Sequence, residues 1–557
     1  MDNKVIAKAF KLSSQLMELH NENPFRTKAM ASASFKIDKL PFPAATASFE
    51  ELSEQPGIGK GTAERIQAFV QTGTFPELQQ LIDKTPAGVR DMLSIKGLGP
   101  KKVQVIWQDL EIESVGELLY AVNENRLIEA KGFGLKTQED IKKSIEFANA
   151  NQGLFLYAKV ARQAAAFLSI LTTNFPSEQH AITGDFRRKA EIIAQLEFLT
   201  TSSLIDLADQ LQQLEEYTVV PSEEGFLLYT DPVGLHYKII ATTHASFALD
   251  FLKTTGSEAH IQQLLSLASP LPALENESAI YSALGLDYIE PELREGGAEI
   301  KWAKEGKLPT LITFEDLKGT VHNHSTYSDG VHTLAQMASY CKEELKLEYL
   351  GICDHSRTAV YANGLSIERL AEQWKEIDQL NQSLAPFRIF KGIESDILSD
   401  GSLDYPKEIL RQFDFVVASV HSNLKMDEEK STERLLKAIE NPYTTILGHP
   451  TGRLLLSRSG YPLDFKKIID ACAANKVVIE INANPLRLDL DWRWHQYALE
   501  KGVILSINPD AHRTEGLLDM HYGINVARKG GLTADKCLNA FTLDQIETYF
   551  KTRKGTI

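Results

Sequence analysis

The stretch Val321–His332, "VHNHSTYSDGVH", decides how the rest of this chain is read. It places three of the chain's 14 histidines within 12 residues, with an aspartate between the second and the third. One histidine here would read as a polar loop or as a core imidazole satisfied by hydrogen bonds. The spacing says more. If "TVHNH" is a strand, His322 and His324 stand at i and i+2 and point the same way. Two imidazoles on one face, then Asp329, then His332 past a glycine turn, form a metal-ligand pattern. The reading requires further ligands from elsewhere in the chain.

The sequence downstream of Lys318 supplies them. Short apolar runs alternate there with helix-length segments: "GTVHNH", "YLGICDH", "RIFKGIES", "DFVVASVH", "TTILGHP", "VVIEINAN" and "VILSINPDAH". Repeated β-α units imply a parallel sheet with helices outside it. Six of these seven strands end in His, Asp or Glu, and in (β/α) barrels the strands' C-terminal ends build the site. The candidate ligands are His322, His324, Asp329, His332, His355, Glu394, His421, His449, Asp510 and His512, which include seven of the 14 histidines. Ten nitrogen and oxygen ligands exceed the needs of one tetrahedral zinc. They suit two or three divalent ions, Zn, Mn or Fe, with Glu394 free to bridge. No thiolate joins the set: Cys353 lies beside a strand end and is left out of it. His495 and His521 end no strand and read as ordinary surface or core histidines.

At 557 residues the chain should form two to four domains. Its 43% hydrophobic and 24% charged residues are those of a globular protein. A net charge of −16 argues against general attraction to nucleic acid, so any such contact must be local. No apolar run has the length of a membrane span, and the N-terminus reads as an amphipathic helix rather than a signal peptide. The four cysteines form no C-x-x-C pair, which suits a reducing cytoplasm.

Residues 1–150 read as helices joined by three similar turns: "LSEQPGIGKGTAERI", "LLSIKGLGPKKVQVI" and "LIEAKGFGLKTQEDI". Each is a helix–hairpin–helix unit. Gly57, Gly59, Gly97, Gly99, Gly132 and Gly134 allow the backbone N–H groups to converge on a phosphate, with Lys60, Lys96, Lys101 and Lys102 beside them. One copy alone would read better as a helix C-cap glycine followed by a new helix. Three copies favour sequence-independent contact with a nucleic-acid backbone. Farther on, "EYTVVPSEEGFLLYTD" reads as a strand pair, "HYKIIAT" as a short strand and "EGKLPTLITFEDLKG" as a linker.

The motifs H-x-H, S-D-G-x-H, D-H-S, G-x-E, H-S, G-H-P and D-A-H, in this order, resemble the PHP (polymerase and histidinol phosphatase) domain. The resemblance implies a distorted seven-stranded barrel with a trinuclear metal centre that hydrolyses phosphoesters. It implies that His322, His324, Glu394 and Asp510 surround one ion, that Asp329, His332, His355 and His512 serve a second, and that Glu394, His421 and His449 hold a third. Ions so clustered polarise the phosphoryl group and acidify water, so no protein nucleophile is needed. Glu394 and His355 are the leading catalytic candidates. Arg453 joins them, and with Arg357 it could bind phosphate oxygens. Asn482 and Asn484 could hydrogen-bond substrate or ligands.

The hairpins with "NENPFRTKAM", "ITGDFRR", "TTGSEAHIQQL" and "ALGLDYIEPELRE" extend the resemblance, so the whole chain resembles a bacterial or archaeal family X DNA polymerase with a C-terminal PHP domain. This implies helix–hairpin–helix DNA-binding in 1–150, a polymerase-beta-like α+β palm and thumb in 151–315 and a PHP phosphoesterase barrel in 316–557. The departures fall in the middle. Asp185 replaces a serine of the family's G-S-x-R-R motif, and Gln195, Glu197 and His236 stand where three metal-binding aspartates are expected. Arg65 stands at the family's Schiff-base lysine position, with Lys60 nearby in the hairpin. An arginine cannot lose its proton to act as that nucleophile. The expectation is therefore a cytoplasmic, metal-dependent DNA phosphoesterase of DNA repair that does not polymerise. Its reaction would be 3′–5′ exonuclease, 3′-end processing or abasic-site cleavage. The alternatives are a small-molecule phosphatase of the histidinol-phosphate type with vestigial DNA domains, and a non-catalytic DNA-binding scaffold.

Overall fold

The computed structural model of the protein describes residues 3–555 apart from 39, 41, 96, 129, 151–152, 212–216 and 221–224. Lys96 of the second hairpin therefore lies outside the described residues. The chain forms two compact units, Met1–Glu146 and Phe147–Ile557. None of the described helices is long and apolar enough to cross a membrane.

The first unit is helical. Its N-terminal helix, Asn3–Leu19, buries Ile6, Phe10, Leu16 and Leu19 on one stripe. The three hairpins repeat one geometry. Gly57, Gly97 and Gly132 have φ of +84°, +93° and +87°, a region where a side chain is strained. After each, the amide of the very next residue returns to the preceding turn: Ile58 to the Gln55 carbonyl, Leu98 to Ile95 and Phe133 to Ala130. Gly59 and Gly99 are the N-caps of helices Lys60–Thr72 and Pro100–Gln104, and Gly134 precedes helix Leu135–Ala150.

In the second unit a five-stranded sheet comes first. Its strands are β1 (His180–Thr183), β2 (Gln195–Thr200), β3 (Thr218–Val220), β4 (Phe226–Thr230) and β5 (His236–Ala241), in the order β1-β2-β5-β4-β3. Only β2 and β5 run parallel. Helix Tyr157–Asn174 covers one face, where Phe167 meets Phe198 and Tyr237. Helices between 247 and 305 then form a core of their own around Leu252, Leu264, Ile280, Tyr281 and Ile289.

Seven parallel strands follow in sequence order: β6 (Gly319–Thr320), β7 (Tyr349–Ile352), β8 (Arg388–Asp396), β9 (Phe415–Ser419), β10 (Ile446–Leu447), β11 (Val478–Asn482) and β12 (Leu505–Asn508). The sheet nearly closes, because Asn323 bridges Ala511 in parallel and the His324 amide donates to the Ala511 carbonyl at 2.8 Å. Most strand residues are buried on both faces, as a parallel barrel wrapped in helices requires. The interior is filled by Val321, Tyr349, Phe390, Phe415 and Val417, and Leu538, Ile546 and Phe550 of the C-terminal segment close its floor. Gly392 is needed here: a Cβ at this position would stand 2.2 Å from Phe415.

Two expectations change in detail. The strand in "TVHNH" ends at Thr320, so His322 and His324 project from the strand's extension rather than from the strand itself. The segment read as a linker is docked on the barrel: Ile312 is fully buried and its amide donates to Leu532, while the Lys318 amide donates to Asn539. Helix Met520–Lys529 ties barrel and preceding segments together. Lys529, almost fully buried, donates to the Arg188 carbonyl and to Glu295, and Arg528 donates to Glu292.

Candidate metal centre

Among the described residues, three groups of donors converge to within 4.8 Å: His324, Asp329, His355 and His512; His322, His324 and Asp510; and His355, Glu394 and His421. His324 and His355 each belong to two groups, so the three share walls. All come from the C-terminal ends of barrel strands or the loops just beyond them. Glu394 lies at the centre: its oxygens stand 3.3 Å from His322 Nε2, 2.9 Å from His355 Nδ1, 3.0 Å from His421 Nε2 and 3.0 Å from His449 Nε2. His449 and Asp510 hold positive φ, +23° and +54°, strain of the kind concentrated at functional sites.

Carboxylates and carbonyls behind the imidazoles set which nitrogen faces inward. His322 Nδ1 donates to Glu480 Oε1 at 2.6 Å, His421 Nδ1 to Asp396 Oδ1 at 2.6 Å, and His512 Nδ1 to the Asp510 carbonyl at 2.9 Å. Each Nε2 is then directed at the shared volume, the arrangement of metal-binding histidines. Glu480 also accepts from the His449 amide at 2.8 Å and from Asn482 and Asn508. Asp354, fully buried, accepts from Ser325, Ser328 and Gln373, pinning the turn that carries Asp329. Sequence reasoning missed Glu480, Asp396 and Asp354. A glutamate inside the apolar run "VVIEI" was the visible signal for the first.

The electrostatics favour ligands. Burial pushes the Glu394 carboxyl up, but His421, His322 and His355 outweigh it and hold the group well below the usual carboxylate range. Burial, with His512 and His355 beside it, pulls His324 down to about 3, and burial with Arg487 pulls His449 down to about 4. His421 goes the other way, to about 9, because Glu394 and Asp396 overcome its burial. Nitrogen and oxygen donors, buried, inward-facing and shared between groups, fit several divalent ions. No thiolate takes part: Cys353 is buried with Sγ 3.8 Å from the Val321 carbonyl, and burial raises its pKa.

Four candidates are placed differently from the sequence reading. His332 enters none of the three groups; its Nδ1 accepts from the Thr514 amide at 3.1 Å, and His324 stands beside Asp329, His355 and His512 instead. Arg453 is turned away from the centre. Its Nε donates to the Arg487 carbonyl at 2.8 Å, Nη1 to Asp491 at 2.5 Å and Nη2 to the Leu488 carbonyl. The loop after "GHP" reverses, which nothing in the local sequence reveals. Arg357 is half exposed and donates to Asp404. Asn484 accepts from the Leu486 amide and shapes its own turn.

In the five-stranded sheet, Gln195 on β2 pairs with His236 on β5, and Glu197 with Lys238. Gln195 Nε2 donates to Glu197 Oε1 at 2.6 Å. Asp185 pairs with Arg188, and Arg187 with Glu277 at 2.6 Å. In the helical unit, Lys102 Nζ donates to the Gly97 carbonyl at 3.2 Å, and Arg65 pairs with Glu77 at 2.5 Å. Among the described residues, no atom outside the neighbouring backbone lies within 4 Å of a Cβ built at Gly59, Gly97, Gly99, Gly132 or Gly134, so these turns are open to an approaching backbone.

Comparison with known proteins agrees with this architecture. A helix–hairpin–helix domain matches residues 1–75, and a SAM-like helix-hairpin-helix tandem matches residues 89–146. A probable phosphatase of Thermoanaerobacter sp. (strain X514) is 28% identical over 42% of this chain and 95% of its own length. One of Vibrio campbellii is 30% identical over 35% of this chain and 78% of its own. The DNA polymerase/3′-5′ exonuclease PolX of Bacillus subtilis (strain 168) is 32% identical over 99% of this chain and 100% of its own length. With helix–hairpin–helix units, a mixed middle and a nearly closed seven-stranded barrel in the same order, the chain belongs to the PolX family, family X DNA polymerases with a C-terminal PHP domain.

Proposed function

We propose that the protein is a metal-dependent DNA phosphoesterase of DNA repair, acting as a 3′–5′ exonuclease, 3′-end processing enzyme or abasic-site nuclease, and that it does not polymerise. The observation that carries this is the set of inward-facing imidazoles and carboxylates around Glu394. His322, His324, Asp329, His355, Glu394, His421, His449, Asp510 and His512 would hold two or three ions. Such ions draw charge from a phosphoryl group and acidify water. The chain's own part is to orient the ligands. Glu480 and Asp396 keep His322 and His421 in one tautomer, and Asp354 holds the Asp329 turn. No protein nucleophile is required, and the buried Cys353 offers none.

The hairpins at Gly57–Lys60, Gly97–Lys102 and Gly132–Gly134 support a sequence-independent grip on DNA phosphates, with residues 1–150 as the binding region and 151–315 as a degenerate palm and thumb. The full-length relative is named for both polymerase and exonuclease activities. The exonuclease is carried over here and the polymerase is not. Mg²⁺ wants hard oxygens in near-octahedral array, whereas β2 and β5 offer an amide, one carboxylate, an imidazole and an ammonium. The barrel-only relatives are named probable phosphatases. A small-molecule phosphatase, however, has no use for three hairpins.

The test is Mn²⁺-supplemented cleavage of end-labelled DNA, recessed, blunt and abasic, by the full chain. Chelator-sensitive loss of nucleotides or nicking at the abasic site is expected. No cleavage of any DNA alongside rapid hydrolysis of a small phosphomonoester would replace this reading with the phosphatase.

A further inference from the structure

Arg487 belongs to neither the ligand set nor the sequence-based candidates. It stands on the turn after β11, at the same end of the barrel as the ligands, with its side chain about as buried as theirs. Its Nε lies 3.9 Å from Asp510 Oδ2, an ion-pair distance. Its charge also acts on His449 and Asp489. A guanidinium stays protonated under all ordinary conditions. A fixed cation beside groups arranged to collect cations makes sense where an anion arrives with them, and its planar fork matches phosphate oxygens.

The turn beneath it is braced. Arg453 donates to the carbonyls of both Arg487 and Leu488 and is anchored on Asp491. Leu488 is held at φ +45°. Asp489 accepts from both the amide and the hydroxyl of Thr451, and the Leu455 amide donates to the Leu486 carbonyl at 2.6 Å. Glu191, beside the five-stranded sheet, stands 3.8 Å from Arg453 Nη2.

We propose that Arg487 binds the phosphate of the substrate at the barrel's mouth and that Arg453 is the positioning residue that presents it. This rests on the phosphoesterase reading above and names the residue that recognises the phosphate. Both roles are measured with inorganic phosphate titrated calorimetrically into the full, manganese-loaded chain, with bound metal determined by elemental analysis. Arg487→Gln should weaken phosphate binding at least about tenfold with metal content unchanged, as loss of a charge-assisted pair implies. Arg487→Lys should recover part of it, since a lysine restores the charge without the fork. Arg453→Met should weaken binding less, and adding it to Arg487→Gln should cost nothing further, because the two act through one contact.

Phosphate affinity equal to the parent's in Arg487→Gln overturns the proposal. So does loss of metal in that variant, which would make Arg487 a brace for Asp510. Additive effects of the two substitutions overturn the positioning role of Arg453. A parent chain that binds phosphate through Arg487 yet cleaves no DNA would refute the nuclease reading and leave the role of Arg487 standing.

Discussion

On β2 and β5, Gln195, Glu197, His236 and Lys238 stand side by side on adjacent parallel strands. At the barrel's mouth, His322, His355, Glu394, His421 and Asp510 do the same from strands that are likewise parallel neighbours. Both places are lined with polar side chains from neighbouring strands. They differ in how the charges are settled. In the first, the Gln195 amide answers the single carboxylate from within the protein, and Asp185 and Glu277 occupy Arg188 and Arg187. In the second, imidazole nitrogens and carboxylate oxygens face one another in a buried volume, with the outward nitrogens already committed to Glu480 and Asp396. Polarity alone does not make a site. What distinguishes one is a set of ligand atoms turned together toward one buried volume.

The sharpest way to break this contrast is at its centre. Glu394→Gln should lower Mn²⁺-dependent DNA cleavage by more than about 10²-fold, the scale on which loss of one preorganised electrostatic partner is felt. Circular dichroism should show the fold intact, and parental activity in this variant would sink the barrel assignment. Glu480→Gln tests the layer behind. Its loss should weaken metal affinity about 10–100-fold, read by competition with a chromogenic chelator, and unchanged affinity would make the His322–Glu480 bond incidental.

A third measure is thermodynamic. Because Glu394 and Asp396 outweigh burial and lift His421 to about 9, that imidazole carries a proton at pH 7 in the metal-free chain. Metal uptake should therefore release protons, seen as a dependence of binding enthalpy on the buffer's ionisation enthalpy. An enthalpy independent of buffer would contradict it.

Gly97→Val should reduce DNA binding severalfold by straining a φ of +93°. The remaining affinity should still fall with salt, as phosphate contacts require. The smallest effect belongs to the other sheet: Glu197→Gln should leave DNA cleavage within about twofold, the size of an ordinary surface change. In a His355→Ala background, primer extension on a gapped template should show no added nucleotides. Template-directed extension would erase the contrast between the two sheets.

Much of this was legible in the residues themselves. A ligand at the end of each of six strands is a pattern of one-dimensional spacing, and glycine hairpins recur as strings, so both could be read without coordinates. Arg453 could not, because its direction depends on the path of the loop that follows His449. His332 could not either: whether it joined the group hung on a single turn, and the Thr514 amide, 182 residues away, claims its Nδ1. Asp396 and Asp354 are ordinary acids in sequence and become supports only when a distant imidazole or hydroxyl meets them. Lys238 becomes informative only through the register that sets it against Glu197.

The near-closure of the barrel between Asn323 and Ala511 has a consequence for biosynthesis. His322 and Asp510 meet across 188 residues, and the floor beneath them comes from Leu538, Ile546 and Phe550. Contacts so remote in the chain form late, because loop-closure entropy must be met before they reward it. The hairpin unit, whose contacts close within residues 1–146, can be finished while translation is still under way, whereas the barrel waits for Leu538, Ile546 and Phe550 to leave the ribosome. A stalled or truncated chain would then carry the hairpins proposed to grip DNA without the finished site proposed to cut it.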